Sequence, residues 1–207
     1  MLEFDLQKMV DDESPGHPDT KLRIAPVQDE VDREQLRQCT FNTTPSDYTG
    51  DDLGYGIRDV STGRFVGGLW ISRGPFFESN LGYELQLPAG SGWLYCAYIE
   101  KPYRGGGLYR RLLHHMAGDL QGRGLERLYA TIVPWNKSSN AAHRRYIKRT
   151  IGHLRVFRTG KVAVANRSGD VVCSPTWTTD LTQRPLRVRL AVDQEKMRRQ
   201  RERDATG

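Results

Sequence analysis

The stretch Leu94–Leu113, LYCAYIEKPYRGGGLYRRLL, must cease to be one element and become another within twenty residues. An apolar, aromatic run stops at Lys101-Pro102, turns through Arg104-Gly105-Gly106-Gly107 and restarts as an amphipathic segment at Leu108. Consecutive glycines can adopt positive φ and carry no Cβ, so neighbouring backbone N–H groups can converge on an anion at a helix N-terminus. The pattern predicts a strand, a phosphate-holding turn and a helix, and its ligand should carry a pyrophosphate. A P-loop requires Gly-Lys-Ser/Thr after the glycines, whereas Leu108-Tyr109 follow here. A dinucleotide fingerprint requires a third glycine where Arg110 stands.

At 207 residues the chain suits one well-buried domain with tails. Three cysteines, Cys39, Cys96 and Cys173, are odd in number and far apart. That argues against a disulfide framework or a zinc site and for a reduced, cytoplasmic setting. No apolar run approaches the roughly 18–20 residues that span a bilayer, so no membrane partner is expected. The net charge is +6, yet residues 1–20 hold six acids against Lys8, so the remainder carries about +11 by the same count. A basic body suits an acidic partner, whether nucleic acid or a polyanionic cofactor.

Residues 1–20 end in Ser14-Pro15-Gly16-His17-Pro18 and are expected to be an acidic, mobile leader, with the domain occupying 21–190 and a basic charged tail 191–207. Leu22–Ile24 alternates as a strand, and Asp29–Gln38 has helical spacing. Gly54–Val60 and Arg64–Ile71 are β-type runs joined by Ser61-Thr62-Gly63. Residues 74–92 are open between a short strand and a substrate-facing loop. Trp93–Glu100, Leu108–Arg123 and Arg127–Val133 form a βαβ unit, whose helical crossover makes the two strands parallel neighbours. Ala141–Arg149 reads as helix and His153–Ala165 as strand, while Gln194–Asp204 is charged without an apolar stripe.

A second pattern follows the βαβ unit: Asn136-Lys137-Ser138-Ser139, then Ala142-His143 and Tyr146, then Gly152-His153. With the glycine turn it resembles the GNAT superfamily of N-acetyltransferases. The acyl-CoA motif there is Arg/Gln-x-x-Gly-x-Gly/Ala; Arg104, Gly105 and Gly107 match it and Tyr109 replaces the last small residue. The spacing from Asn136 to Gly152 is several residues longer than usual, and His153 replaces the customary Phe. The resemblance covers most of residues 21–165. It implies an α/β fold with a central mixed, mostly antiparallel sheet whose parallel strand pair splays apart.

It further implies acetyl-CoA or another acyl-CoA as cosubstrate, with no metal. Pantetheine would lie along Tyr98 and Ile99, pyrophosphate on Arg104, Gly105, Gly106, Gly107, Leu108 and Tyr109, and Asn136 and Ser139 would flank the pantetheine arm. Acyl transfer to an amine needs a neutral nucleophile, a stabilised oxyanion and a proton for the departing thiolate. Tyr146 is the candidate acid, because a phenol can donate to a thiolate. The histone-acetyltransferase branch keeps a glutamate where Gly92 stands here, so Glu84 and Glu100 become candidate bases acting through water. His143 is a candidate titrating group on an arginine-rich helix. Adjacent His114-His115 point to different helix faces, which disfavours a metal pair.

The expected function is therefore direct transfer of an acetyl or other acyl group from acyl-CoA to an amine-bearing acceptor. One alternative is an amine linked to nucleic acid, tRNA or a modified DNA base, reached through Arg144, Arg145, Lys148, Arg149 and the tail Lys196–Arg203. Another is a non-catalytic CoA-binding module. A homodimer is a further candidate partner arrangement.

Overall fold

The structure is a computed structural model that describes residues 1–12, 21–78, 82–159, 162–167, 171–174 and 186–190. In chain order the elements are β1 (Leu2–Phe4), α1 (Leu6–Asp11), β2 (Leu22–Val27), α2 (Glu30–Cys39), β3 (Leu53–Asp59), β4 (Phe65–Ser72), β5 (Phe76–Glu78), β6 (Tyr83–Gln86), β7 (Ser91–Ile99), α3 (Leu108–Gly122) and β8 (Arg127–Ala130). There follow α4 (Lys137–His143), β9 (Ile147–Thr150), β10 (Leu154–Thr159), β11 (Val162–Arg167), β12 (Val171–Ser174) and β13 (Leu186–Leu190).

Seven strands form the central sheet in the order β2-β3-β4-β7-β8-β1-β9. Its one parallel contact is β7 with β8, as the helical crossover through α3 requires. The other neighbours run antiparallel. The expected mixed, mostly antiparallel α/β fold is therefore present. A four-stranded sheet, β12-β13-β6-β5, and the hairpin β10-β11 complete the described strands. Residues 74–92, left open by sequence, contribute β5 and β6.

Each face of the central sheet carries a core. On one, α3 buries Leu112, Leu113, Met116, Ala117 and Leu120, at the i, i+1, i+4, i+5 and i+8 positions of an amphipathic helix, against Tyr55, Ile57, Leu69 and Leu128. On the other, Leu36 of α2 meets Trp70, Trp93 and Tyr95, and the second sheet adds Phe76, Tyr83, Leu85, Val188 and Leu190. The Tyr55 hydroxyl donates to Asp119 Oδ2 at 2.6 Å, which ties α3 to β3.

The leader expectation is corrected for residues 1–12; residues 13–20 lie outside the described ones. Leu2, Glu3 and Phe4 lie in register with Ala130, Tyr129 and Leu128, so β1 fills the slot between β8 and β9. Asp5 caps α1 by accepting the Lys8 N–H at 3.0 Å, and Leu6 and Met9 are buried at helical spacing beside Phe4. The acids that made the segment look solvated are its anchors: Glu3, 1% exposed, accepts from Arg149 Nε at 2.8 Å and pairs with Lys148. The helix expected over 141–149 is also corrected. Helix α4 is capped by Asn136, whose Oδ1 accepts the Ser139 N–H at 3.1 Å, and ends at His143. A single 3-10 turn follows, and Ile147 then pairs with Phe4 as β9, because cross-strand pairing outweighs helical propensity there. The tail 191–207 lies outside the described residues.

Candidate active site

Strands β7 and β8 start side by side, Ser91 with Arg127, Gly92 with Leu128 and Trp93 with Tyr129, and the ladder then ends although β7 continues to Ile99. On its other edge β7 pairs with β4, where Tyr95 opposes Trp70 and Tyr98 opposes Gly68. Two residues, Cys96 and Ala97, thus face the single Leu69, a β-bulge in which Cys96 takes φ 45°. Beyond it the Glu100 N–H donates to Val66 O at 2.9 Å, so by alternation the Ile99 N–H and C=O point away from β4, into the gap left by β8. The Ile99 carbonyl is met there by Arg104 Nε at 2.8 Å.

The glycine turn closes one end of this gap. Gly105, Gly106 and Gly107 have φ of 98°, 55° and 76°, and Gly107 is the N-cap of α3. A Cβ built on Gly105 or Gly106 would meet nothing within 4 Å, so conformation rather than space requires glycine there. Backbone free of side chains at the positive end of a four-turn helix is a fit for a pyrophosphate.

A cleft of about 640 Å³ runs from this turn along Ala97, Tyr98 and Ile99 to α4 and Tyr146. It brings together Tyr98, Ile99, Arg104, Gly105, Gly106, Gly107, Tyr109, Asn136, Ser139 and Tyr146 from the sequence-derived set. Leu108 is the exception among the cofactor candidates: its side chain is buried in the core and its N–H bonds to Gly105 O at 3.3 Å. Neither candidate base lines the cleft. Glu100 is bidentate with Arg64, at 2.5 and 3.0 Å, beside a separate depression with Cys39 and Phe65. Glu84 lies on β6 and accepts from the Tyr48 hydroxyl at 3.2 Å.

Two pairings at the wall of the cleft were missed. His143, the candidate titrating group of the arginine-rich segment, is 2% exposed. Its Nδ1 lies 2.8 Å from the Ser139 carbonyl, which can only accept, so Nδ1 carries the proton and Nε2 accepts from the Tyr109 hydroxyl at 2.8 Å. Burial holds the imidazole pKa below its ordinary value and pushes the Tyr109 phenol up, so both are neutral near pH 7. Tyr109, the departure from the small residue of the motif, thus tethers the start of α3 to the end of α4. The second pairing centres on Asp12, which accepts from Arg110, from Arg145 and from the Tyr146 hydroxyl. The Arg110 hydrogen bonds hold its carboxyl well below the usual range. Burial and the Asp12 bond push the Tyr146 phenol up to about 12. The only sequence signal for this cluster was an acid at the end of an amphipathic segment.

The basic stretch is less free than its sequence suggests, since Arg145 pairs with Asp12, and Lys148 and Arg149 pair with Glu3. Among the described residues no group of three or more His, Cys, Asp or Glu could hold a metal ion, and no helix is long and apolar enough to cross a membrane.

The site is thus a mixed sheet opened at its parallel pair, with a glycine turn at the mouth and a bulged edge along the wall. The chain belongs to the acetyltransferase (GNAT) family, whose model matches residues 9–147. Members of this family use acyl-CoA, and the chain is accordingly an acetyltransferase in the broad sense. None of the curated proteins compared with it matches. Similar solved structures include an aminoglycoside acetyltransferase from an uncultured soil metagenomic sample in complex with trehalose. It has 13% identity and a TM-score of 0.46, over 62% of this chain and 89% of that one. A ribosomal-protein-alanine N-acetyltransferase from Brucella melitensis biovar Abortus 2308 has 16% identity and a TM-score of 0.47, over 67% and 99%. An acetyltransferase from Trypanosoma brucei has 18% identity and a TM-score of 0.46, over 67% and 98%.

Proposed function

We propose that the chain transfers an acyl group, acetyl in the simplest case, from acyl-CoA directly to an amine. The observation that carries this reading is the run of three positive-φ glycines at the N-terminus of α3, opening onto the part of β7 that β8 leaves unpaired. In this reading the turn and the four guanidinium donors that Arg104 does not spend on Ile99 hold the pyrophosphate. The pantetheine arm lies along the open edge of β7 at Tyr98 and Ile99. Bound there, acyl-CoA supplies a thioester carbonyl, and the Ile99 N–H is the donor for the oxygen on which charge develops.

Proton handling follows from the groups lining the cleft. No carboxylate is among them, and both ring nitrogens of His143 are engaged, by the Ser139 carbonyl and the Tyr109 hydroxyl, so the acceptor nitrogen must arrive neutral or lose its proton to water. Tyr146 can assist the leaving sulfur only after Asp12 releases its hydroxyl. Burial raises the phenol above its ordinary value, which already exceeds that of a thiol, so complete transfer to the thiolate is uphill. Tyr146 therefore contributes a hydrogen bond rather than a finished proton transfer, with Arg110 and Arg145 supplying positive charge in the same cleft.

Calorimetric titration with acetyl-CoA, followed by thiol release in the presence of an amine panel, tests the proposal. Saturable acetyl-CoA binding and amine-dependent thiol release are expected. The amine kcat/KM should rise with pH until the acceptor's own pKa is passed, because no resident base limits it. Tyr146→Phe should lower kcat by about tenfold, the loss of a hydrogen bond, rather than by the ~10³ or more expected of an obligate acid. Absence of binding by acetyl-CoA and longer acyl-CoAs would overturn the proposal.

A further inference from the structure

Among the described residues, two that are not glycine have positive φ, Phe41 at 54° and Cys96 at 45°. Both bear on one side chain. Cys96 lies in the bulge two residues before Tyr98, and the Phe41 ring meets the Tyr98 ring edge-on, at 5.1 Å between centroids and 85° between planes. Tyr98 also carries the Arg104 guanidinium 5.5 Å from its ring centre, and it lines the cleft. An L side chain in the left-handed region crowds its own carbonyl, so such residues persist only where their surroundings hold them, and they gather at functional sites.

The neighbours of Phe41 do the holding. Thr40 Oγ1 donates to Leu36 O at 2.7 Å and accepts from Trp70 Nε1 at 2.9 Å. Buried Asn42 accepts the Thr44 N–H at 3.0 Å through Oδ1, and its Nδ2 donates to the Tyr95 hydroxyl at 3.4 Å. With Thr40 and Asn42 sunk into the protein, Phe41 is driven outward and is 69% exposed. A loop that needed only a left-handed turn here would use Gly or Asn at lower cost. Phenylalanine at this position instead holds an exposed ring against Tyr98.

We propose that Phe41 is a specificity-determining residue. Together with Tyr98 it forms an aromatic platform for the carbon skeleton of the acceptor, selecting a primary amine that carries an aryl or alkyl group beside its nitrogen. This rests on the acyl-transfer reading above. Tyr98 immediately precedes Ile99, whose N–H faces the cleft, so the platform adjoins the reacting end. Flat or apolar carbon gains from an aromatic surface, whereas a small polar amine does not.

Wild type, Phe41→Asn and Phe41→Tyr are compared by steady-state kinetics with acetyl-CoA and 2-phenylethylamine, butylamine or glycinamide, together with thermal unfolding. Asn tolerates the left-handed conformation, so its backbone geometry is retained. The wild type should favour 2-phenylethylamine over glycinamide in kcat/KM. Phe41→Asn should raise the 2-phenylethylamine KM about tenfold, leave the acetyl-CoA and glycinamide KM values unchanged, and melt no lower than wild type; Phe41→Tyr should restore the preference. An unchanged preference in Phe41→Asn overturns the inference, as does a lowered Tm with equal losses for all three amines, which would make Phe41 a structural plug. A wild type that consumes acetyl-CoA with no amine overturns the acyl-transfer reading itself and this inference with it.

Discussion

The two edges of β8 are treated in opposite ways. On one, β7 stays for three residue pairs and is then diverted by the bulge at Cys96, which leaves its far half, with the Ile99 N–H, facing a cleft. On the other, β1 lies antiparallel over Leu128–Ala130 and β9 closes behind it, with Glu3 buried between Arg149 and Lys148. A sheet offers backbone donors to a ligand only where a neighbouring strand is led away. Here the edge that could not be left open is covered by a segment from the far end of the sequence.

The largest effect that would break this comparison is at the closed edge. Phe4→Ala removes a ring that is 2% exposed and should cost about 3–5 kcal/mol. That is a Tm loss of about 6–20 °C in thermal unfolding; an undocked leader would show none. At the open edge, Gly106→Ala introduces a Cβ with space around it but an unfavourable φ. It should weaken acetyl-CoA binding by about thirtyfold, or ~2 kcal/mol, with only a small Tm change, as read by calorimetry. Tyr109→Phe leaves the His143 Nε2 acceptor without its donor and should cost about 1 kcal/mol, seen as a Tm loss of a few degrees.

The smallest effect is pH dependence through His143. Burial depresses its pKa in the folded state, so the unfolded chain takes up the proton first. Its contribution is complete above about pH 6.5 and declines as pH falls below that value. Between pH 7.5 and 5.5 the wild type should lose more Tm than His143→Gln. The depressed Asp12 carboxyl acts only below about pH 4 and does not enter that window.

Much of the open edge was legible in the sequence. Lys101-Pro102 and three glycines mark the turn, and Leu108 to Leu120 has the period of a one-sided helix. These are signals written within a few neighbouring residues. The closed edge carried signals as well, since Leu2 and Phe4 alternate and Leu6, Met9 and Val10 have helical spacing, but six acids and the Pro-Gly-His-Pro run outweighed them. Their cationic partners, Arg110, Arg145, Lys148 and Arg149, lie more than ninety positions away. Glu84 and Glu100 show the converse error, because an isolated carboxylate in a sequence does not say which side of a sheet it occupies.

The sequence by itself determined the family, the glycine turn and the helical crossover that makes β7 and β8 parallel, because backbone sterics and hydrophobic period act over short range. Tertiary structure alone decided that β1 completes the sheet, that Tyr146 gives its hydroxyl to Asp12, that Tyr109 joins His143, and that Phe41 stands beside Tyr98. Each of those depends on register between segments distant in sequence, which is fixed by shared burial and by charges that must find a partner once they leave water.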